Sequence, residues 1–514
     1  MSKKLLKSTA MVGGMTVISR ILGFIRDMVI AHTFGAGTSS DAFFVAFKIP
    51  NFMRRLFAEG AFSQAFTPVL SEYKTQRDAP SIKQLVDQVA GHLGSILLLF
   101  TITGIVIAPL LVLIFAPGFV QHQEKYDLTV VMLQITFPYV LFIALTAFAG
   151  AILNTHGRFA ASAFTPVLLN VCLIGAAVWL APRFEQPVMA LAYGVFIGGL
   201  VQLAFLLPFL YRLHLLPRPR FKLHDDGVKR IYRLMIPALF GVSVSQINLL
   251  MDTLMASFLM TGSISWLYYS DRLMEFPLAV FGLALATVML PDLSKSVARG
   301  DMRNFNNTLD WALRWVFLIA VPSMLGLITL AGPILTTLFH NGEFGDNDVL
   351  MTARSLVAYT MGLLGFVLIK VLASGFYSRQ DTRTPVKIGV IAMISNIVLN
   401  LTLIWPLAHA GLALATSLSA LLNASLLYHA LRKQAVFQPQ PGWRKLLLRI
   451  FMAGGCMTLL LWWGSGALSV WLNTGTLERA WHLFGLIMVG MLIYFISLIV
   501  FGFRLHHIRM MNDE

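Results

Sequence analysis

The chain has 514 residues, of which 57% are hydrophobic and only 12% are charged, whereas globular proteins contain about 45–50% apolar and about 25% charged residues. This composition excludes an ordinary soluble protein and predicts an integral membrane protein. Lys and Arg number 39 against 24 Asp and Glu, a formal net charge of +15. In a membrane protein such an excess first indicates cytoplasmic loops, because basic residues accumulate on the side that is not translocated. Nucleic acid is therefore not expected as a partner.

Fourteen stretches are apolar and long enough to cross a bilayer as helices, which takes about 20 residues each. The first two are weak, since one contains Arg20, Arg26 and Asp27 and the other contains Asp41 and Lys48. We expect an all-α polytopic membrane protein with 14 transmembrane helices. In chain order the predicted spans are 10–33, 41–57, 90–115, 128–152, 160–181, 187–211, 234–260, 264–290, 311–339, 350–377, 386–408, 410–431, 446–472 and 481–503.

The distribution of basic residues between the predicted loops supports this number of spans. With the N-terminus in the cytoplasm, the cytoplasmic tails and loops hold 27 Lys and Arg, and the external loops hold only Lys125, Arg183 and Arg479. Removing one weak span would invert every later loop and abolish the bias. Both termini are therefore predicted to be cytoplasmic.

The first four fifths of the chain align weakly with themselves, which indicates an internal repeat; chance similarity between apolar stretches is the alternative. Residues 41–52, DAFFVAFKIPNF, align with residues 265–276, SWLYYSDRLMEF, and further matches follow in the same order. Duplication predicts two six-helix lobes in parallel orientation, related by a pseudo-two-fold axis along the membrane normal around a central cavity. The N-lobe is predicted at 1–225 and the C-lobe at 226–435, with two extra helices at 436–514.

Charged residues inside the predicted spans are the strongest candidates for a functional site. An Arg at the centre of a spanning helix costs about 2.5–3.5 kcal/mol on insertion scales, so it normally faces a bundle interior or a wet cavity. Arg20, Arg26 and Arg272 fit this expectation. Another interpretation is that an arginine side chain snorkels to the membrane interface. This interpretation stays open for Arg54, Arg55, Arg314 and Arg354.

Acidic residues lie close to these cations along the same helices. Asp27 is seven residues after Arg20 and Lys48 is seven after Asp41, so each pair shares a helix face, and Glu275 follows Arg272 at i+3. Pairing within each helix is one interpretation. The cations outnumber their acidic neighbours, however, which predicts an anionic substrate such as a pyrophosphate, because guanidinium groups bind phosphate bidentately. Asp252, in the seventh span, either binds a coupling ion or pairs with a cavity arginine.

The sequence contains no G-x-x-x-x-G-K-[ST], HExxH or GxSxG motif. Hence no ATP motor within the chain and no enzymatic activity are expected. Cys172 and Cys456 lie in apolar runs, and neither a metal site nor a cofactor is predicted.

Several long motifs carry a resemblance to a known family. They are SRILGFIRDMVIAHTFGAGTSSDAFFVAFKIPNFMRRLFAEGAFSQAFTPVLSEYK, ILNTHGRF, AFTPVLLN, SWLYYSDRLMEFPLAVFG and GFYSRQDTRTPVKI. The chain resembles the bacterial lipid II flippase family MurJ, also called MviN, of the multidrug/oligosaccharidyl-lipid/polysaccharide exporter superfamily. The resemblance implies export of undecaprenyl-pyrophosphate-linked peptidoglycan precursor across the bacterial inner membrane, with a lipid-tail groove on the extra helices. It places substrate-binding residues at Arg20, Arg26, Asp41, Arg54, Arg272 and Glu275.

Two other functions stay open at this stage. One is export of a different polyprenyl-pyrophosphate-linked saccharide, and the other is a non-transporting scaffold that binds cell-wall synthesis proteins. The basic segment from Arg212 to Arg233 is expected to contact anionic membrane lipids. Asp27, Lys48 and Asp252 remain candidates for charge pairing or for coupling to an ion, and the driving force stays open.

Overall fold

The computed structural model describes residues 3–55, 62–220, 226–278 and 283–504, with side chains outside 3–10, 237–249 and 283–288. Within these ranges the regular structure is helical and no β-strand occurs. The chain separates into two compact units, Met1–Ser265 and Trp266–Glu514. The all-helical prediction is therefore confirmed for the described part of the chain, while the lobe boundaries remain a prediction.

The first unit is built from ten helices and the first residues of an eleventh. One core joins α3, α4, α7, α9 and the start of α10 through Phe66, Leu85, Phe148, Leu206 and Ile231. Arg230 of α10 also pairs with Glu72 of α3 at 2.8 Å. The helices are α1 Lys3–Phe34, α2 Thr38–Arg54, α3 Ser63–Gln76, α4 Ala79–Val106, α5 Ala108–Phe115, α6 Gln123–Thr136, α7 Tyr139–Thr155, α8 Phe159–Gly175, α9 Met189–Arg212 and α10 Asp226–Ala256.

The second unit contains most of α11 and the nine helices after it. Its terminal helices α18 and α20 pack on α13 through a core that includes Val321, Ile450, Leu461 and Leu498. The helices are α11 Ser263–Pro277, α12 Leu283–Ala298, α13 Met302–Thr329, α14 Ala331–Phe339, α15 Asp346–Thr360, α16 Leu363–Tyr377, α17 Arg383–Lys433, α18 Trp443–Ser465, α19 Leu468–Asn473 and α20 Thr476–Val500.

Nine segments of the described chain are long and apolar enough to cross a membrane, and each overlaps at least one predicted span. The segments are Ala79–Val106, Gln123–Thr155, Phe159–Arg183, Met189–Arg212, Met302–Thr329, Asp346–Tyr377, Arg383–Lys433, Trp443–Ser465 and Thr476–Val500. At about 1.5 Å per residue, the 51 residues of α17 are far longer than a bilayer core of about 30 Å needs. Ala408 interrupts α17 with non-helical angles, φ 49° and ψ −129°, where the eleventh and twelfth predicted spans meet.

Candidate functional site

The charged segment of α1 contains one exposed and one buried arginine. Arg20 is exposed, whereas Arg26 retains 7% of its accessible surface and Asp27 only 2%. Arg26 donates from Nε and Nη2 to Asp27 Oδ1, at 2.9 and 2.6 Å. Asp27 thus pairs with its immediate neighbour, and among the described residues no carboxylate forms an ion pair with Arg20.

Asn170 of α8 connects Arg26 to the backbone of α1. Arg26 Nη1 donates to Asn170 Oδ1 at 3.0 Å, and Asn170 Nδ2 donates to the carbonyl oxygen of Ser19, also at 3.0 Å. The amide therefore fixes the guanidinium of Arg26 from a helix 144 positions later in the sequence. Sequence reasoning missed Asn170 because the residue is neutral; the available signal was a carboxamide in the apolar stretch TPVLLNV.

Asp41 lies at the start of α2, with 1% of its surface exposed. Its Oδ1 accepts from Ser265 N at 2.9 Å and from Ser265 Oγ at 2.6 Å, while its Oδ2 accepts from Gly262 N at 2.8 Å. Two of these donors are backbone N–H groups at the N-terminus of α11, where a negative charge is favourable. Asp41 therefore caps α11 from another helix.

Lys125 neutralises this carboxylate. Its Nζ lies 2.7 Å from Asp41 Oδ2 and 4.3 Å from the centre of the Phe119 ring, and the residue is 4% exposed. Lys125 was predicted to lie in an external loop, but it belongs to the first turn of α6 and is buried. The alternative that Asp41 pairs with Lys48 is wrong, because the four donors to its carboxylate come from Lys125, Gly262 and Ser265.

The C-terminal end of α2 carries three cations of intermediate exposure, Lys48, Arg54 and Arg55. Arg54 Nε donates to Asn51 Oδ1 at 2.9 Å, which orients the guanidinium along the last turn of the helix. Asp252, the remaining candidate of the first unit, is partly buried near the end of α10.

In the second unit, Arg272 and Glu275 form the predicted pair along α11. Arg272 Nη1 lies 3.0 Å from Glu275 Oε2, and the guanidinium carbon lies 5.1 Å from the centre of the Tyr268 ring. The two side chains remain 33% and 45% exposed. The guanidinium is thus oriented by Glu275 and Tyr268 and remains partly accessible, which suits the binding of an anion.

A buried carboxylate in the second unit was not predicted from the sequence. Asp310 of α13 accepts from Arg314 Nε at 2.6 Å, Trp443 Nε1 at 2.7 Å and Gln440 N at 3.0 Å. These bonds fasten the start of α18 to α13. Arg314, for which snorkelling to the interface was one interpretation, has a side chain that is 11% exposed and paired with Asp310.

Together these contacts divide the candidate residues into two kinds. Arg26 and Asp41 are buried and occupied by partners within the protein, whereas Arg20, Arg54 and Arg272 are at least partly exposed. Side chains of the second kind are accessible to a phosphate group. Within the described ranges no group of three or more His, Cys, Asp or Glu could hold a metal ion.

A family model described as lipid II flippase MurJ matches residues 30–500. The chain belongs to the MurJ family. A protein named "Probable lipid II flippase MurJ" from Vibrio cholerae is 50% identical over 99% of this chain and 98% of its own length. A "Lipid II flippase MurJ" from Burkholderia cenocepacia is 43% identical, covering 89% of this chain and 90% of its own. The resemblance seen in the motifs is confirmed.

Solved structures agree with this assignment. A structure titled "Lipid II flippase MurJ, inward closed conformation" superposes with a TM-score of 0.80 at 29% identity, covering 97% of this chain and 99% of its own. A MATE family transporter of the MOP superfamily superposes with a TM-score of 0.67 at 14% identity, covering 81% of this chain and 95% of its own. At 14% identity, the similarity to the MATE family transporter shows a shared fold.

Proposed function

We propose that this protein is a lipid II flippase, which moves the undecaprenyl-pyrophosphate-linked peptidoglycan precursor from the cytoplasmic to the periplasmic leaflet of the inner membrane. The observation that carries the proposal is the match over almost the full length of both chains to MurJ relatives, at up to 50% identity. The proposed activity is transport, in keeping with the flippase family that the chain matches.

For the site, we propose that Arg20, Arg54 and Arg272 contact the pyrophosphate directly, with Glu275 orienting Arg272. Their partial exposure supports this role. Arg26 and Asp41, which the resemblance also places in the substrate site, are proposed to enter it only when their buried partners are exchanged. Such exchange is how a binding site can differ between two states of a transporter.

For the architecture, we propose fourteen spans with both termini in the cytoplasm, two six-helix lobes at 1–225 and 226–435 around a cationic cavity, and a groove for the lipid tail on 436–514. The loop charges and the internal repeat support this arrangement. Asp27, Lys48 and Asp252 are proposed to balance charge within it, and the basic loops to contact anionic lipids.

The test replaces two accessible guanidinium groups one at a time. Purified Arg20→Ala and Arg272→Ala are reconstituted in liposomes with lipid II, and the amount that reaches the opposite leaflet is measured with time. Each substitution is expected to abolish flipping while leaving the protein inserted and folded. Arg299→Ala, which removes an exposed arginine after α12, is the matched control and should flip normally. Full flipping by both site variants would contradict the proposal.

A competition experiment separates this substrate from other cargo. Lipid II should compete for binding far better than polyprenyl-pyrophosphate lipids that carry a different saccharide. Equal competition would indicate an exporter that recognises only the shared pyrophosphate and polyprenyl chain.

A further inference from the structure

Two prolines inside helices of the first unit have their lost hydrogen bonds replaced in different ways. Proline has no N–H, so the carbonyl four residues earlier loses its helical donor. For Pro166 of α8 this carbonyl is Ser162 O, which accepts from Thr165 Oγ1 of the same helix at 2.9 Å. For Pro50 of α2 it is Ala46 O, which accepts from Thr136 Oγ1 of α6 at 3.1 Å. The carbonyl released by Pro166 is thus satisfied within α8, whereas the one released by Pro50 is satisfied by a second helix.

Pro50, at which a helix is expected to bend, lies among the candidate charges of α2. Lys48 precedes the proline and Arg54 follows it by one helical turn. Ala46, Pro50 and Thr136 are all buried, so water has little access to the released carbonyl. An unsatisfied backbone group inside a membrane protein costs several kcal/mol, and Thr136 is therefore in a position to determine where α2 bends.

Thr136 has a second acceptor within its own helix. Its hydroxyl oxygen lies 3.3 Å from Leu133 O, and a hydroxyl has one proton to donate. Leu133 O already accepts from Phe137 N at 2.8 Å, so the bond from Thr136 is not needed there. The hydroxyl can therefore donate to Ala46 O when α2 is packed as seen here, and to Leu133 O when α2 moves away, without losing its own hydrogen bond.

We propose that Thr136 is a positioning residue for transport: its hydroxyl reversibly holds the bend of α2 at Pro50 and so sets the position of Lys48 and Arg54. The inference rests on the proposed flippase function for its transport consequence, but not for the hydrogen bond itself. Thr136 would thus act in the transport cycle as a neutral side chain that does not itself bind the substrate.

The test is a double-mutant cycle, because Pro50→Ala returns an N–H to position 50 and gives Ala46 O a donor within α2. Thr136→Val, Pro50→Ala and the double variant are compared with the parent protein. The end-to-end distance of α2 is measured by electron paramagnetic resonance between spin labels at Ser39 and Met53, with Cys172 and Cys456 replaced by alanine. Flipping of lipid II is measured on the same four proteins without labels.

Thr136→Val is expected to shift or broaden the distance distribution and to slow flipping by about two- to tenfold, the effect of one net hydrogen bond. Thr136→Ser, which keeps the hydroxyl, should show the α2 distance distribution and the flipping rate of the parent protein. With Pro50→Ala present, Thr136→Val should have no further effect on the distance. Equal effects of Thr136→Val in both backgrounds, or no rescue by serine, would overturn the proposal.

A matched control uses Pro166, whose released carbonyl is satisfied within α8. Thr165→Val and Pro166→Ala are expected to couple in thermal stability while leaving the α2 distance unchanged. The distance measurements need no lipid II, so the proposal about Thr136 can fail or hold separately from the substrate assignment. The parent protein could fail to flip lipid II while the effects of Thr136→Val and Pro50→Ala on the α2 distance are non-additive. In that case the flippase function is wrong, whereas the role of the hydrogen bond from Thr136 to Ala46 O is supported.

Discussion

Ser265 donates both its backbone N–H and its hydroxyl to Oδ1 of Asp41, at 2.9 and 2.6 Å. The two residues are 224 positions apart, which is the offset that aligns DAFFVAFKIPNF with SWLYYSDRLMEF. Two residues that the predicted repeat aligns are thus bonded to each other within the first unit, at the N-termini of α2 and α11.

The buried pair formed by Asp41 and Lys125 gives the first prediction. Removing one partner of a buried ion pair costs about 3–5 kcal/mol, because a charge is left without compensation. Lys125→Met and Asp41→Asn should each lower the free energy of unfolding by about that amount, measured by denaturation in detergent. The double variant should lose clearly less free energy of unfolding than the sum of the losses in the two single variants.

An exposed pair supplies the control for this cycle. Lys295 and Asp292 lie 3.1 Å apart with both side chains more than half exposed, and exposed pairs contribute about 0–1 kcal/mol. Lys295→Met should therefore change stability very little. Strict additivity for Asp41 and Lys125 would show that their contact contributes nothing.

Asn170 gives a second prediction, which concerns Arg26. Asn170→Ala removes the acceptor of Arg26 Nη1 and the donor to Ser19 O, and hydrogen bonds to charged groups contribute about 1.5–3 kcal/mol. Stability should fall by about that amount, and lipid II flipping should fall with it if the orientation of Arg26 matters for transport. Asn473→Ala, which removes an exposed amide that donates only to Ser469 O at 2.8 Å, should change neither quantity.

A single sequence reveals some properties of the structure and not others. Long apolar runs predicted an all-helical structure, and each of the nine described segments long enough to cross a membrane overlaps a predicted span. The boundary between the eleventh and twelfth predicted spans falls at Ala408, where α17 is interrupted. The cost of placing charge in a membrane span identified Arg20, Arg26 and Arg272 as unusual. Apolar runs and charges within spans can both be recognised without knowing which helices are in contact.

The partners of those charges could not be predicted, because they come from distant parts of the chain. Lys125 lies 84 positions from Asp41, and in the sequence it falls between the third and fourth predicted spans. Asp310 was missed for the same reason, since its bonds to Gln440 and Trp443 span 130 and 133 positions. Pairing across helices is decided by packing, which hydropathy along one chain does not encode.

Asp381, in the turn before α17, gives a prediction for pH. Its Oδ2 accepts from Thr384 Oγ1 at 2.7 Å and its Oδ1 from Thr384 N at 3.0 Å, and the bond from the hydroxyl is the main cause that lowers the pKa of the Asp381 carboxyl. A lowered pKa means that the folded state favours the charged form. The stabilisation is then complete above the ordinary pKa of about 3.9 and is lost as the pH falls through the folded-state value.

The measurement is the difference in Tm between the parent protein and Asp381→Ala as a function of pH. The difference should be constant between about pH 7 and pH 5 and should shrink below about pH 4. Thr384→Ala removes the hydroxyl donor and should move this loss to higher pH. A difference that grows on acidification would contradict the assigned direction of the shift.

The last prediction concerns the attachment of α18 to α13. Gln440 N donates to Asp310 Oδ1 at 3.0 Å, and two residues earlier Gln438 N donates to Asn306 Oδ1 at 2.7 Å. Each amide is therefore protected by a different side chain of α13. In hydrogen exchange followed by mass spectrometry, Asp310→Ala should speed exchange at Gln440 by about tenfold, the loss of one hydrogen bond, and Asn306→Ala should do so at Gln438.

The comparison of the two variants separates local from global loosening. If the segment between α17 and α18 is held at independent points, each substitution exposes mainly its own amide, and the flanking helices exchange as before. Asp310→Ala should have the wider effect of the two, because it also releases Trp443 Nε1 and Arg314 Nε. Equal exchange at both amides in both variants would mean that the segment opens as a unit, and that Asp310 does not anchor α18 by itself.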